Sequence, residues 1–138
     1  TKAKLNAAAT DHTPRIEADP DRVKSCFRDP HVKYAARKHD LPFWNIILTA
    51  PHWNYRELTQ ADLRLQMYGS LVYGARGISF YKFMASSLPI LKAPDLGNFR
   101  DAPLDQFGEK TTTWNWLRNI NHQVQNIGPT MLKLHSVK

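Results

Sequence analysis

Between Phe43 and Phe83 two short apolar runs, FWNIIL and ISFYKF, stand on either side of one longer stretch with helical marks. The first run is apolar from Phe43 to Leu48 apart from Asn45, is bounded by Pro42 and Pro51, and is too short for a helix of its own. It reads as a strand, and its near-continuous hydrophobicity is that of a parallel strand covered on both faces. The middle stretch follows the loop APHWNYREL and opens at Thr59, a natural N-cap, with Asp62 three residues on as the acid of a capping box. A helix-length crossover between two strands of one sheet demands that they run parallel and that the connection be right-handed. The chain therefore reads as α/β.

Within QADLRLQMYGSLVYG, Ala61, Leu65, Tyr68 and Val72 fall along one stripe, widened by Leu63, Met67 and Leu71. The narrow polar face left over predicts a helix packed on a sheet and flanked by neighbours. Gly69 should cost about 1 kcal/mol against alanine, which points to close packing there. Gly74 suits the left-handed position just past a helix, and Gly77 lets the backbone turn closely into the next strand. From Met84 to Lys110, prolines at 89, 94 and 103 and weak periodicity predict a long loop or short helical turns, and loops of that length are usually functional or disordered. Helix resumes in TTTWNWLRNINHQVQNIG, capped at Thr112 or Thr113, with Leu117, Ile120, Val124 and Ile127 at helical spacing and Gly128–Pro129 as stop signals.

Upstream, residues 1–19 read as a flexible or irregular lead-in and residues 20–138 as the folded domain. Asp19 and Pro20 mark the start of one helical piece, which Pro30 interrupts. A second piece, PHVKYAARKH, places Val32, Ala35 and Ala36 on one side.

These residues resemble a family. PFWNIILTAPHWNYRELTQADLRLQMYGSLVYGARGISFYKF and TTTWNWLRNINHQVQNIGPTMLKLHSVK look like the last two strand-helix units of a (β/α)8-barrel glycoside hydrolase, in the broad β-galactosidase and β-agarase-like group. That group's E/D-x-R-x-Q-x-Y run is matched by Asp62, Arg64, Gln66 and Tyr68, and its L-x-x-G-A-x-G-I by Leu71, Gly74, Ala75, Gly77 and Ile78. The closing helix matches I-x-x-I/L-G-P-x-L-x-x-L from Ile120 through Leu134. The resemblance implies a partial TIM barrel with parallel strands, whose parent binds or hydrolyses β-linked sugars. A complete barrel has eight strands and about 250 residues, so the implied piece is a fragment, inactive alone. The family places one glutamate at the tip of the seventh strand and another at the tip of the fourth. Here the corresponding strand ends in Leu48, Thr49 and Ala50, with no carboxylate before Glu57, so the pair needed for glycoside hydrolysis is incomplete.

In such a barrel, function sits at the C-terminal ends of strands and in the loops that follow. His52, Trp53, Asn54 and Tyr55, with Tyr81 and Phe83 at the end of the second strand, combine flat aromatic faces with hydrogen-bonding groups and are the candidate sugar contacts. Trp53 and Tyr55 serve equally well as packing for their loop, whereas Tyr81 and Phe83 read first as core filling, with a rim role open from their place near the strand end. Lys82 alternates away from them and is expected to be solvated or salt-bridged. Glu57 is the one weak catalytic candidate, and the bland alternative is a surface glutamate near a helix N-terminus. Trp114 and Trp116 are expected to pack on the barrel exterior.

With 138 residues, 42% hydrophobic and 22% charged, the composition fits one globular domain. The net charge of +7 invites a nucleic-acid partner, but the bases are scattered and no groove-reading element or stacking platform stands out, so none is expected. An alternative function is a non-catalytic structural or interaction module with a basic surface. Cys26, the single cysteine, cannot form an intrachain disulfide and lies beside no obvious base. The histidines show no metal-ligand spacing and no phosphate-binding glycine loop occurs, so neither metal nor cofactor is expected. No stretch approaches the roughly 20 apolar residues that cross a bilayer, and the polar start has no signal-peptide region, which leaves the compartment open. The opening Thr fits a processed or excised piece. Two parallel strands would leave open edges and apolar helix faces, so self-association or contact with missing barrel segments is expected.

Overall fold

The computed structural model describes residues 34–134 apart from residue 37. The expectations for the lead-in, for the helix beginning at Asp19 and for Cys26 lie outside the described residues. Strand β1 (Trp44–Leu48) pairs in parallel with β2 (Gly77–Tyr81), in a register running from Trp44↔Gly77 to Leu48↔Tyr81, and helix α1 (Gln60–Val72) is the crossover. A short helix α2 (Leu88–Leu91), a 3-10 turn (Pro94–Leu96) and a long helix α3 (Thr112–Met131) follow. Among the described residues the fold is mixed α/β around a two-stranded parallel sheet.

Helix α1 begins where its capping residues dictate. Thr59 Oγ1 accepts from the Asp62 N–H at 3.3 Å, and Asp62 Oδ2 accepts from the Thr59 N–H at 2.8 Å. The Arg56 guanidinium grips both carboxylate oxygens of Asp62 in a fork. Burial works against this carboxylate, but the hydrogen bonds from Arg56 and Thr59 outweigh it and hold the Asp62 pKa below the ordinary 3.8. At the other end Gly74 takes φ +89°, the Gly74 N–H bonds Leu71 O and the Ala75 N–H bonds Ser70 O, which is a Schellman close.

The buried stripe of α1 differs from the expected one. Asp62, Leu63, Gln66, Met67 and Ser70 face inward, while Ala61, Leu65 and Val72 are exposed. Hydrogen bonding explains the rotation, because each inward polar side chain has a partner and pays no desolvation penalty unaided. Asn45 Nδ2 donates to Ser70 Oγ at 2.7 Å, and Ser70 Oγ donates to Gln66 O at 2.6 Å. The Gln66 amide accepts from the Leu48 N–H at 2.8 Å and donates to the Leu48 carbonyl at 3.3 Å. Thr49 N–H bonds Tyr81 O, so strand alternation turns the Leu48 peptide groups away from β2. Gln66 thus stands in for a neighbouring strand at the open edge of β1.

Ile47 and Leu48 from β1, Leu58, Leu63 and Met67 from α1 and its approach, and Leu117 and Ile120 from α3 form the core. Arg64 Nη1 and the Tyr68 hydroxyl both donate to Gln123 Oε1, at 2.8 and 2.9 Å, and tie α1 to α3. Asn45 and Ile47 share the helix-facing side of the sheet with Ile78 and Phe80. Trp44 and Ile46 lie on the other side with Gly77 and Ser79. There Trp44 is 61% exposed, and its indole crosses Gly77 so closely that a methyl group at Gly77 would overlap it. Gly77 is required by this close approach, not by a turn.

Two boundaries of α3 also differ. Its N-cap is Thr111, not Thr112 or Thr113, and the Thr111 hydroxyl bonds the carbonyls of Ala102 and Pro103 instead of the helix. Gly128 and Pro129 do not stop it: the helix continues to Met131, and the Leu132 N–H bonds Gly128 O. Arg76, in the turn before β2, donates to the carbonyls of Met131, Leu132 and Leu134 and so holds this last turn.

Candidate functional site

Parallel strands end on the same side, so the loops after β1 and β2 meet. Thr49 Oγ1 joins them directly by donating to Lys82 O at 3.0 Å, beside a Tyr81–Lys82 peptide bond that is cis. The proline-rich segment beyond β2 folds back onto them. Ala85 N–H bonds Leu104 O, Leu104 N–H bonds Phe83 O, and Ala50, Ala85 and Ala102 close into a small buried cluster.

His52 lies at the centre of this meeting point and is buried. Its ring stacks on Phe99 at 5.1 Å between centroids and meets Tyr55 and Tyr81 edge-on at 4.8 and 5.3 Å. His52 Nδ1 is 3.1 Å from Ala50 O. A carbonyl only accepts, so the neutral ring carries its proton on Nδ1 and leaves Nε2 as an acceptor.

Trp53 sits beside this cluster, 56% exposed, with its backbone at φ +48°, a conformation that costs a non-glycine residue about 1–2 kcal/mol. The opposite loop secures it. Trp53 N–H bonds Gly97 O at 2.6 Å, and Trp53 O accepts from Asn98 Nδ2 at 3.3 Å and Arg100 Nη1 at 3.4 Å. Arg100 also donates to Tyr55 O, and its Nε lies 2.5 Å from Glu57 Oε1 as an ion pair outside hydrogen-bond alignment. Glu57 is 71% exposed and ties these two loops together.

The structure therefore brings His52, Tyr55 and Tyr81 into one aromatic cluster, with Trp53 on its rim. Asn54 is exposed on the same loop, and Phe83 is 41% exposed with its ring 6.1 Å from that of Phe80. Tyr55 and Tyr81 also pack against the main core, so for them packing and contact roles coexist. Lys82 is half-buried and has no ion-pair partner among the described residues: Nζ donates to the buried Ser86 Oγ at 2.7 Å and lies 5.4 Å from the Phe99 centroid. Sequence reasoning missed Phe99, Arg100 and Ser86, all within a segment whose length alone marked it as of interest. Trp116 packs on the core, and Trp114 is covered by Lys110 at 4.4 Å and Arg118 at 5.4 Å.

Exposed Trp53 presents a flat apolar face at the rim of this cluster, beside the buried His52 imidazole and the half-buried Lys82 ammonium. Among the described residues no group of His, Cys, Asp and Glu side chains is placed to hold a metal, and no helix is long and apolar enough to cross a membrane. No protein-family model and no curated protein sequence matches this chain.

Proposed function

We propose that this chain is part of a glycoside-hydrolase-like (β/α)8 barrel, that the loops after β1 and β2 contact a β-linked sugar, and that the chain alone does not hydrolyse it. The observation that carries this reading is the cluster of His52, Tyr55, Tyr81 and Phe99, with exposed Trp53 beside it, at the C-terminal ends of two parallel strands. Barrel enzymes build their sites at that end. The strand that resembles the family's seventh ends in Leu48, Thr49 and Ala50 with no carboxylate at its tip, which supports binding without turnover.

Exposed Leu65 and Val72 on α1 and exposed Trp44 on the sheet support contact with further strand-helix units or with a second copy. Titration of the chain with β-linked galactan oligosaccharides tests the binding reading. Tryptophan fluorescence should change saturably, and Trp53→Ala should weaken binding about tenfold, the scale of one stacked aromatic. Absence of any sugar-dependent change would overturn the reading. Robust hydrolysis abolished by Glu57→Gln would overturn the claim of inactivity.

A further inference from the structure

We propose that the sugar held at this site carries an anionic substituent, a carboxylate or a sulfate, which Lys82 receives. This rests on the glycan reading above and deepens it. Lys82 is built into the site from both ends. Its carbonyl accepts from Thr49 Oγ1, and its ammonium donates to Ser86 Oγ, whose residue is 3% exposed. Phe99 links it to the rest of the cluster, since the Lys82 ammonium and the His52 ring both lie against that one ring.

An ammonium has three protons to donate, and one is engaged by a neutral hydroxyl. Among the described residues no carboxylate lies within ion-pair distance of Lys82. Glu57, in the loop after β1, is paired with Arg100, and Asp62, in the first turn of α1, with Arg56. A half-buried cation held by a hydroxyl and an aromatic face, with its charge uncompensated, is completed by an anion delivered with the ligand. Neutral sugars satisfy the remaining donors but not the charge.

The test uses the whole 138-residue chain and matched oligosaccharides: a neutral β-linked galactan, the same oligomer carrying 6-sulfates, and a β-linked oligomer bearing glucuronate. Calorimetric titration in moderate salt should show the charged oligomers binding about tenfold more tightly than the neutral one, the scale of one charge-assisted hydrogen bond. Lys82→Met should abolish that preference and Lys82→Arg should keep it. Equal affinity of the native chain for charged and neutral oligomers overturns the inference and leaves the glycan reading standing, and this arm needs no variant to fold. A preference that survives in folded Lys82→Met, or an equal affinity for inorganic polyphosphate, overturns it too. Binding of none of the sugars removes the glycan reading and this inference with it.

Discussion

Replacing Gln66 by leucine removes both hydrogen bonds that close the edge of β1 while keeping the side-chain volume nearly constant. Gln66 is 2% exposed and Leu48 is fully buried, so water cannot take over at the Leu48 N–H and carbonyl. Each orphaned group costs about 1–3 kcal/mol. Better apolar contact of leucine offsets about 1 kcal/mol of the total, leaving an expected loss of about 1–5 kcal/mol. Urea unfolding should show the midpoint falling with the slope unchanged, and the melting temperature should drop by about 3–5 °C for each kcal/mol lost. Hydrogen exchange locates the effect: the Leu48 amide should lose protection while the Thr49 amide, bonded to Tyr81 O on the other edge, keeps it. Gln66→Glu adds a signed arm. A carboxylate still accepts from the Leu48 N–H, but only its protonated form donates to the Leu48 carbonyl. The folded variant then binds the extra proton more tightly than the unfolded chain, so its deficit against the native protein should widen as pH rises above about 4.3. A loss under about 0.5 kcal/mol for Gln66→Leu, or equal loss of protection at Leu48 and Thr49, would refute the edge-closing role.

The lowered pKa of Asp62 contributes stability that is present above 3.8 and is lost as pH falls through the folded value. Unfolding measured from pH 6 down to pH 2 should therefore show the native chain losing its advantage over Asp62→Asn, an advantage of about 1–2 kcal/mol at neutral pH; a constant gap across that range would contradict this. Arg76→Ala should cost about 1 kcal/mol and speed amide exchange in the last turn of α3, with no change in exchange at β1. Gly77→Ala should push the Trp44 indole off its seat at a cost of about 1 kcal/mol, visible as a changed near-ultraviolet dichroism, and an unchanged spectrum would remove the close-approach explanation.

What was legible in the sequence was what neighbouring residues decide among themselves. Thr59 and Asp62 are three apart and close a capping box wherever the chain turns into a helix, and Gly74 ends that helix because only its φ is free. The parallel pairing followed from a crossover too long for a hairpin. Polar residues at 62, 66 and 70 concealed the true inward face of α1, because hydropathy sees neither the β1 partners of Gln66 and Ser70 nor the Arg56 and Thr59 groups that hold Asp62 from just before the helix. Thr111 outranked Thr112 and Thr113 as N-cap through the carbonyls of Ala102 and Pro103, and the stop at Gly128 failed because Arg76 supports the next turn. The site divided the same way. His52, Tyr55 and Tyr81 could be named from their places at strand ends, whereas Phe99 and Arg100 reach the cluster across more than forty residues of chain.

Arg76 bears on the order in which this protein can be completed. Its carbonyl partners follow it by 55, 56 and 58 residues, so the joint before β2 is fastened by groups made long after the joint itself. A ribosome that has delivered β1, α1 and β2 has produced both paired strands and Arg76, but none of the carbonyls that Arg76 clasps. During that interval the nascent sheet depends on its own ladder and on Gln66, and the clasp shuts only once Leu134 has been added.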